Sequence, residues 1–80
     1  MIVRILAFGF AGEVIGRRSF DLELRDGSDT DLLQEHLSLS YPALKGILNM
    51  ALAVNQTYIV ENTKLKDGDE VAIIPPVSGG

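Results

Sequence analysis

The chain has eighty residues, of which 46% are apolar, with seven Lys and Arg against eleven Asp and Glu, a formal net charge of −4 and no cysteine. One small domain fits this length and hides only about 60–65% of its unfolded surface; a deep substrate cavity would compete with its core, which favours a module held by something larger over a self-contained enzyme. The acidic balance lacks the basic face of a nucleic-acid binder and is repelled by anionic membranes, while the missing cysteine excludes disulfides, thiolate nucleophiles and cysteine-based metal sites.

Met1 to Phe8 reads as a strand. Val3, Ile5 and Ala7 alternate with Ile2, Arg4, Leu6 and Phe8, and Arg4 marks the second set as the solvent side. The segment is too short for a signal peptide, and no apolar run approaches a membrane span, so the cytoplasm is the expected compartment. Gly9 ends the strand, and Gly12 and Gly16 bracket a turn or single helical turn holding Val14 and Ile15. Ser19 to Arg25 is a second strand, with Phe20, Leu22 and Leu24 facing in and Asp21, Glu23 and Arg25 facing out. The short connection between the two predicts an antiparallel hairpin, and Asp26-Gly27 closes it.

Ser28 to Tyr41 reads as a helix. Asp29 or Thr30 suits the N-cap, and Asp31 suits the positive end of the helix dipole. Leu33, Leu37 and Tyr41 fall on one side, and Pro42 ends the helix. Pro42 to Met50 is ambiguous, with Leu44, Ile47 and Leu48 suggesting a short second helix. Leu52–Val54 and Thr57–Val60 read as strands around an Asn55-Gln56 turn. Lys66-Asp67-Gly68-Asp69 is a turn, and Glu70 to Ile74 is the last strand, with Val71 and Ile73 on one face and Ala72 and Ile74 on the other.

This order predicts an α+β fold, a mixed sheet packed on one main helix. With the first and last strands paired in parallel at its centre, it is the β-grasp, or ubiquitin-like, arrangement. The expected organisation is a domain over residues 1–75 and an extended tail over 76–80.

The tail suggests the chemistry. Pro75 and Pro76 cannot donate backbone hydrogen bonds, which stops the last strand, and their fixed φ keeps the following chain extended. The five residues Pro76 to Gly80 could reach about 17 Å at roughly 3.3–3.6 Å each. Glycine has no Cβ, so Gly79 and Gly80 fit a slot too narrow for any other residue. A terminal carboxylate delivered this way becomes an acyl donor once ATP adenylylates it on a partner enzyme. A sulfur nucleophile displacing AMP would leave a thiocarboxylate, and an amine would leave an amide. A Gly-Gly end by itself is also what an inert terminal stretch looks like; the prolines before it point the other way.

Val54-Asn55-Gln56-Thr57, the run Leu65-Lys66-Asp67-Gly68-Asp69-Glu70-Val71-Ala72 and the ending Pro75-Pro76-Val77-Ser78-Gly79-Gly80 together resemble the small subunits of molybdopterin synthase, a family of β-grasp sulfur carriers. The opening strand and Asp26-Gly27 fit as well, so the resemblance spans the chain and is most specific over the last sixteen residues. It implies that Gly80 is the catalytic position, carrying first the adenylate and then the sulfur as a thiocarboxylate. An E1-like enzyme would adenylylate Gly80 with ATP, and a sulfur-mobilising enzyme would supply the sulfur. Pro75, Pro76, Val77, Ser78 and Gly79 would thread the tail into the large subunit, where sulfur passes to cyclic pyranopterin monophosphate. Two carriers would serve each dithiolene, in a heterotetramer whose catalytic lysines belong to the large subunit. The resemblance implies no metal and no permanently bound cofactor. Family members often carry aromatic residues where this chain has Ile73 and Ile74. Gly9-Phe10-Ala11-Gly12 is less polar than usual there, and no role is carried onto it.

Leu6, Phe8, Tyr58 and Ile74 are outward apolar residues and form the candidate partner patch, although single exposed apolar residues are ordinary. The net charge suits partners with basic docking surfaces. His36 reads as an ordinary exposed side chain, and Asp67, Asp69 and Glu70 lack the spacing of a calcium loop. Lys45, Lys64 and Lys66 read as solvated surface. Three other functions fit the same features: a thiamine-biosynthesis sulfur carrier, whose family usually lacks the Pro-Pro; a ubiquitin-like modifier joined to lysines; and a binding module with no covalent role.

Overall fold

Alternation along the first strand sets the geometry of the whole sheet. A computed structural model describes residues 1–46 and 50–75. In it, β1 (Ile2–Ala7) buries Val3, Ile5 and Ala7 and leaves Ile2 and Arg4 exposed. Strand β2 (Ser19–Glu23) pairs with it antiparallel, Val3 facing Leu22 and Ile5 facing Phe20. The last strand, β5 (Glu70–Ile74), lies on its other side in parallel, Ile5 beside Val71 and Ala7 beside Ile73. With β3 (Ala51–Val54) and β4 (Thr57–Tyr58), the strand order is β2-β1-β5-β3-β4. The mixed sheet and its central parallel pair are those expected.

The second of two α-helices among the described residues, α2 (Thr30–Ser40), buries Leu33 and Leu37 in a core shared with Val3, Ile5, Leu52, Val71 and Ile73. Each such side chain contributes about 1.5–3 kcal/mol on burial. Asp29 is the N-cap and accepts from the Leu32 amide at 3.0 Å. Asn62 braces this end from another loop, donating to Asp29 Oδ2 and accepting from the Asp31 amide, both at 3.0 Å. The Leu32 amide, and after it Asn62, hold the Asp29 carboxyl below its ordinary pKa.

Two sequence readings need correction. The β1–β2 connection, read as a turn or single helical turn, is a seven-residue helix, α1 (Gly9–Ile15), which buries Ala11 and Ile15. Gly16, at φ 86°, caps it in the left-handed region, its amide bonded to Gly12 O at 2.8 Å. Gly12 is inside the helix because a Cβ there would stand 2.9 Å from Ala7 O. Second, the strand expected over Thr57–Val60 ends at Tyr58; Ile59 still donates to Leu52 O at 3.0 Å, but Val60 is 98% exposed. The short second helix suggested within Pro42 to Met50 is a 3₁₀ helix, Pro42–Gly46, that buries Leu44; Ile47 and Leu48 lie outside the described residues.

Candidate functional site

The sheet register builds one face of the candidate site. Leu6 stands beside Ala72, Ala72 opposite Ala53, and Ala53 opposite Tyr58, in one row across β1, β5, β3 and β4. Directly opposite residues share a face, the one that alternates with the core set Ile5, Val71 and Ile73. Ile74, opposite Ala51, adds a second row. Ala53 is buried and Ala72 half-buried. These two methyl groups form a low floor between the larger Leu6 and Tyr58, a shape suited to receiving a partner's side chains.

Phe8 follows the last residue of β1. It is 50% exposed, and Tyr58 is 65% exposed, while Leu6 and Ile74 are half-buried. The Phe8 amide donates to Ile73 O at 3.1 Å, which ties the patch to the last turn of chain before Pro75. A Cβ on Gly9 would lie 3.8 Å from Pro75 Cγ, so Pro75 packs beside the start of α1. Leu6, Phe8, Ile74 and Pro75 therefore meet at one end of the sheet, with Tyr58 on its far strand. Pro76, Val77, Ser78, Gly79 and Gly80 lie outside the described residues.

A charged row borders the apolar rows. Arg4 Nε pairs with Asp21 Oδ1 at 3.2 Å across β1 and β2, and Glu70 stands beside Arg4 on β5. Both members of the pair are exposed, so it adds little to stability and marks the polar rim of a recognition surface. Among the described residues no group of three or more His, Cys, Asp or Glu side chains could hold a metal ion. His36 is exposed on α2. No helix among them is long and apolar enough to cross a membrane.

Sequence reasoning missed three things. Ala51, Ala53 and Ala72 are the floor of the patch; their alternation with Leu52, Val71 and Ile73 was the signal. Phe10 is 58% exposed on α1, one turn from the tail root, hidden by the misread glycine segment. The third concerns the motifs around Asn55 and Asp69, which lie at the opposite end of β5 from Pro75, about 20 Å away along the strand from Asp69. There they close a turn: Asn55 Nδ2 donates to Asp69 Oδ1 at 2.9 Å, and the Lys66 amide donates to Asp69 Oδ2 at 2.8 Å. Asp69 is 6% exposed and fully engaged, which accounts for its place in the fold rather than in a cation site.

A family model described as the ThiS family matches residues 5–80. The molybdopterin synthase sulfur carrier subunit of Chlamydomonas reinhardtii is 42% identical over the whole of both chains. Among solved structures, the putative molybdopterin converting factor subunit 1 of Pyrococcus furiosus superposes with a TM-score of 0.88 at 26% identity, over 96% of this chain and 99% of that one. A chain of the protein–protein complex of subunits 1 and 2 of the molybdopterin-converting factor from Helicobacter pylori is 34% identical, with a TM-score of 0.70 over the full length of both.

Proposed function

We propose a mechanism from one premise: this chain belongs to the ThiS family, among the sulfur carrier subunits of molybdopterin synthase. Gly80 is the reacting residue. Its carboxylate oxygen attacks the α-phosphorus of ATP on an E1-like partner, and pyrophosphate leaves. Hydrosulfide supplied by a sulfur-mobilising partner then attacks the acyl carbon, AMP leaves with the electron pair of the broken C–O bond, and the S–H proton is lost to solvent. The product is a thiocarboxylate, which the large subunit uses to sulfurate cyclic pyranopterin monophosphate.

The body of this chain supplies grip and reach. Leu6, Phe8, Tyr58 and Ile74 dock the sheet face, with the alanine floor taking up partner side chains. Pro75 and Pro76 direct the tail away, and Val77, Ser78 and Gly79 carry Gly80 into the partner's active site. Five residues from Pro76 to Gly80 reach about 17 Å, enough for a partner's active site to lie behind its docking surface. The Helicobacter complex supports the large subunit as one such partner.

The observation that carries the reading is the meeting of patch and tail root, with Phe8 N–H on Ile73 O at 3.1 Å and Pro75 beside Gly9. A docked sheet face fixes where the tail departs. The test is a chain lacking Gly80, combined with a large subunit, activating enzyme, ATP and sulfur source. Loss of molybdopterin formation with the large subunit still bound is the expected result; undiminished formation would contradict the reading.

A further inference from the structure

A cleft of about 880 Å³ opens beside the tail root, between the end of β1, α1 and the segment leading into β2. Leu6, Phe8, Gly12, Glu13, Arg17 and Arg18 line it. Gly9 also lines it, and a Cβ there would lie 3.8 Å from Pro75 Cγ, so the cleft begins near where the described chain stops. The lining residues include two arginines, Arg17 and Arg18, against one acid, Glu13, on a chain whose net charge is −4. The two arginines differ. Arg17 is committed, its guanidinium 4.5 Å from the Phe20 ring centroid and near Tyr41 Oη at 3.5 Å. Arg18 is exposed, makes no ion pair among the described residues, and takes part through its backbone carbonyl, which accepts from the Ala7 amide at 2.8 Å.

We propose that this cleft is a binding site for the chain's own terminal segment, Val77 to Gly80, with the Gly80 carboxylate held by the Arg18 guanidinium in the free carrier. The inference rests on the reading of Gly80 as the working end of the chain. Length allows it, since five residues after Pro75 span up to about 17 Å and the cleft adjoins Pro75 itself. Charge favours it, because a guanidinium binds a carboxylate through paired hydrogen bonds. Shape favours it too: Gly9, Gly12 and Gly16 present bare backbone, and Leu6 and Phe8 offer an apolar wall to Val77. Those last two belong to the docking patch. A partner that covers Leu6 and Phe8 displaces the segment, so the carboxylate is released where it is to be used.

The test is NMR relaxation on the full chain, as wild type, Arg18→Gln and Arg18→Lys. The Arg18 side chain has no described packing role, so both variants fold. Ordered Gly79 and Gly80 amides in the wild type and in Arg18→Lys, with loss of that order in Arg18→Gln and shifted amide signals at Gly9 and Gly12, are expected. Equal, free-end mobility of Gly79 and Gly80 in all three chains would overturn the proposal. Thiocarboxylation of the same samples separates the two readings. A thiocarboxylate formed without any effect of Arg18 on tail order would sink the cleft assignment alone. Ordered glycines on a chain that never accepts sulfur would keep the cleft assignment and sink the carrier chemistry.

Discussion

Asn55 and Asp69 are bonded side chain to side chain, Nδ2 to Oδ1 at 2.9 Å, and this contact joins the β3–β4 turn to the loop that starts β5. Asn55 also accepts from the Glu70 amide at 3.0 Å and occupies the left-handed region at φ 50°. That region suits asparagine better than most side chains. The Asn55→Ala variant loses both bonds and leaves half of a buried carboxylate without its partner. It is expected to lower unfolding stability by about 1–3 kcal/mol, read as a reduced urea midpoint at unchanged slope. A midpoint equal to that of the wild type would show that the contact carries no stability.

The α2 cap predicts a pH dependence. Asp29 has a folded pKa below the ordinary 3.8, caused first by the Leu32 amide and then by Asn62. A depressed carboxylate stabilises the fold in full above its unfolded pKa and loses that contribution as pH falls through the folded value. Asp29→Ala is therefore expected to melt at lower temperature than the wild type at neutral pH. The gap should narrow as pH drops below about 3.8. Thermal melts from pH 7 to pH 2 check it, and a gap constant over that range would remove Asp29 as the cause.

The docking patch predicts a binding defect without unfolding. Phe8 occupies the N-cap position of α1 at φ −96°, ψ 151°, and no side chain caps that helix. Aspartate is a favoured N-cap residue, so Phe8→Asp puts a charge on the patch while suiting the local backbone. Its affinity for the large subunit is expected to fall by about tenfold or more, that is 1.4 kcal/mol or more, with an unchanged melting temperature. Calorimetric titration and a melt on the same sample test this; unaltered affinity would remove Phe8 from the interface.

Strands were readable wherever one face is buried and the other wet. In β1, Arg4 alone was enough to orient Leu6 and Phe8 outward, because a one-residue slip would have buried a charge. The parallel pairing of β1 with β5 followed from element order. Helix α1 was readable only as a turn or single helical turn. Its burial signal, Ala11 and Ile15 one turn apart, is weak, and Gly9, Gly12 and Gly16 look like turn punctuation in sequence. Only the contact with Ala7 O shows why a glycine must sit inside that helix. The patch residues could be named from alternation, but their meeting with Pro75 needed the Phe8–Ile73 bond. The Asn55 and Asp69 motifs looked like part of the chemistry because they are so distinctive. Their distance along β5 from the tail assigns them to holding the sheet together.

The central claim is that Gly80 accepts sulfur, and intact-mass spectrometry tests it most directly. The protein is incubated with an activating enzyme, ATP and a sulfur source, then weighed whole. The account predicts a mass gain equal to one oxygen replaced by one sulfur, absent when Gly80 is deleted. An unchanged mass, or high-mass lysine conjugates formed with no sulfur-bearing carrier, would contradict it.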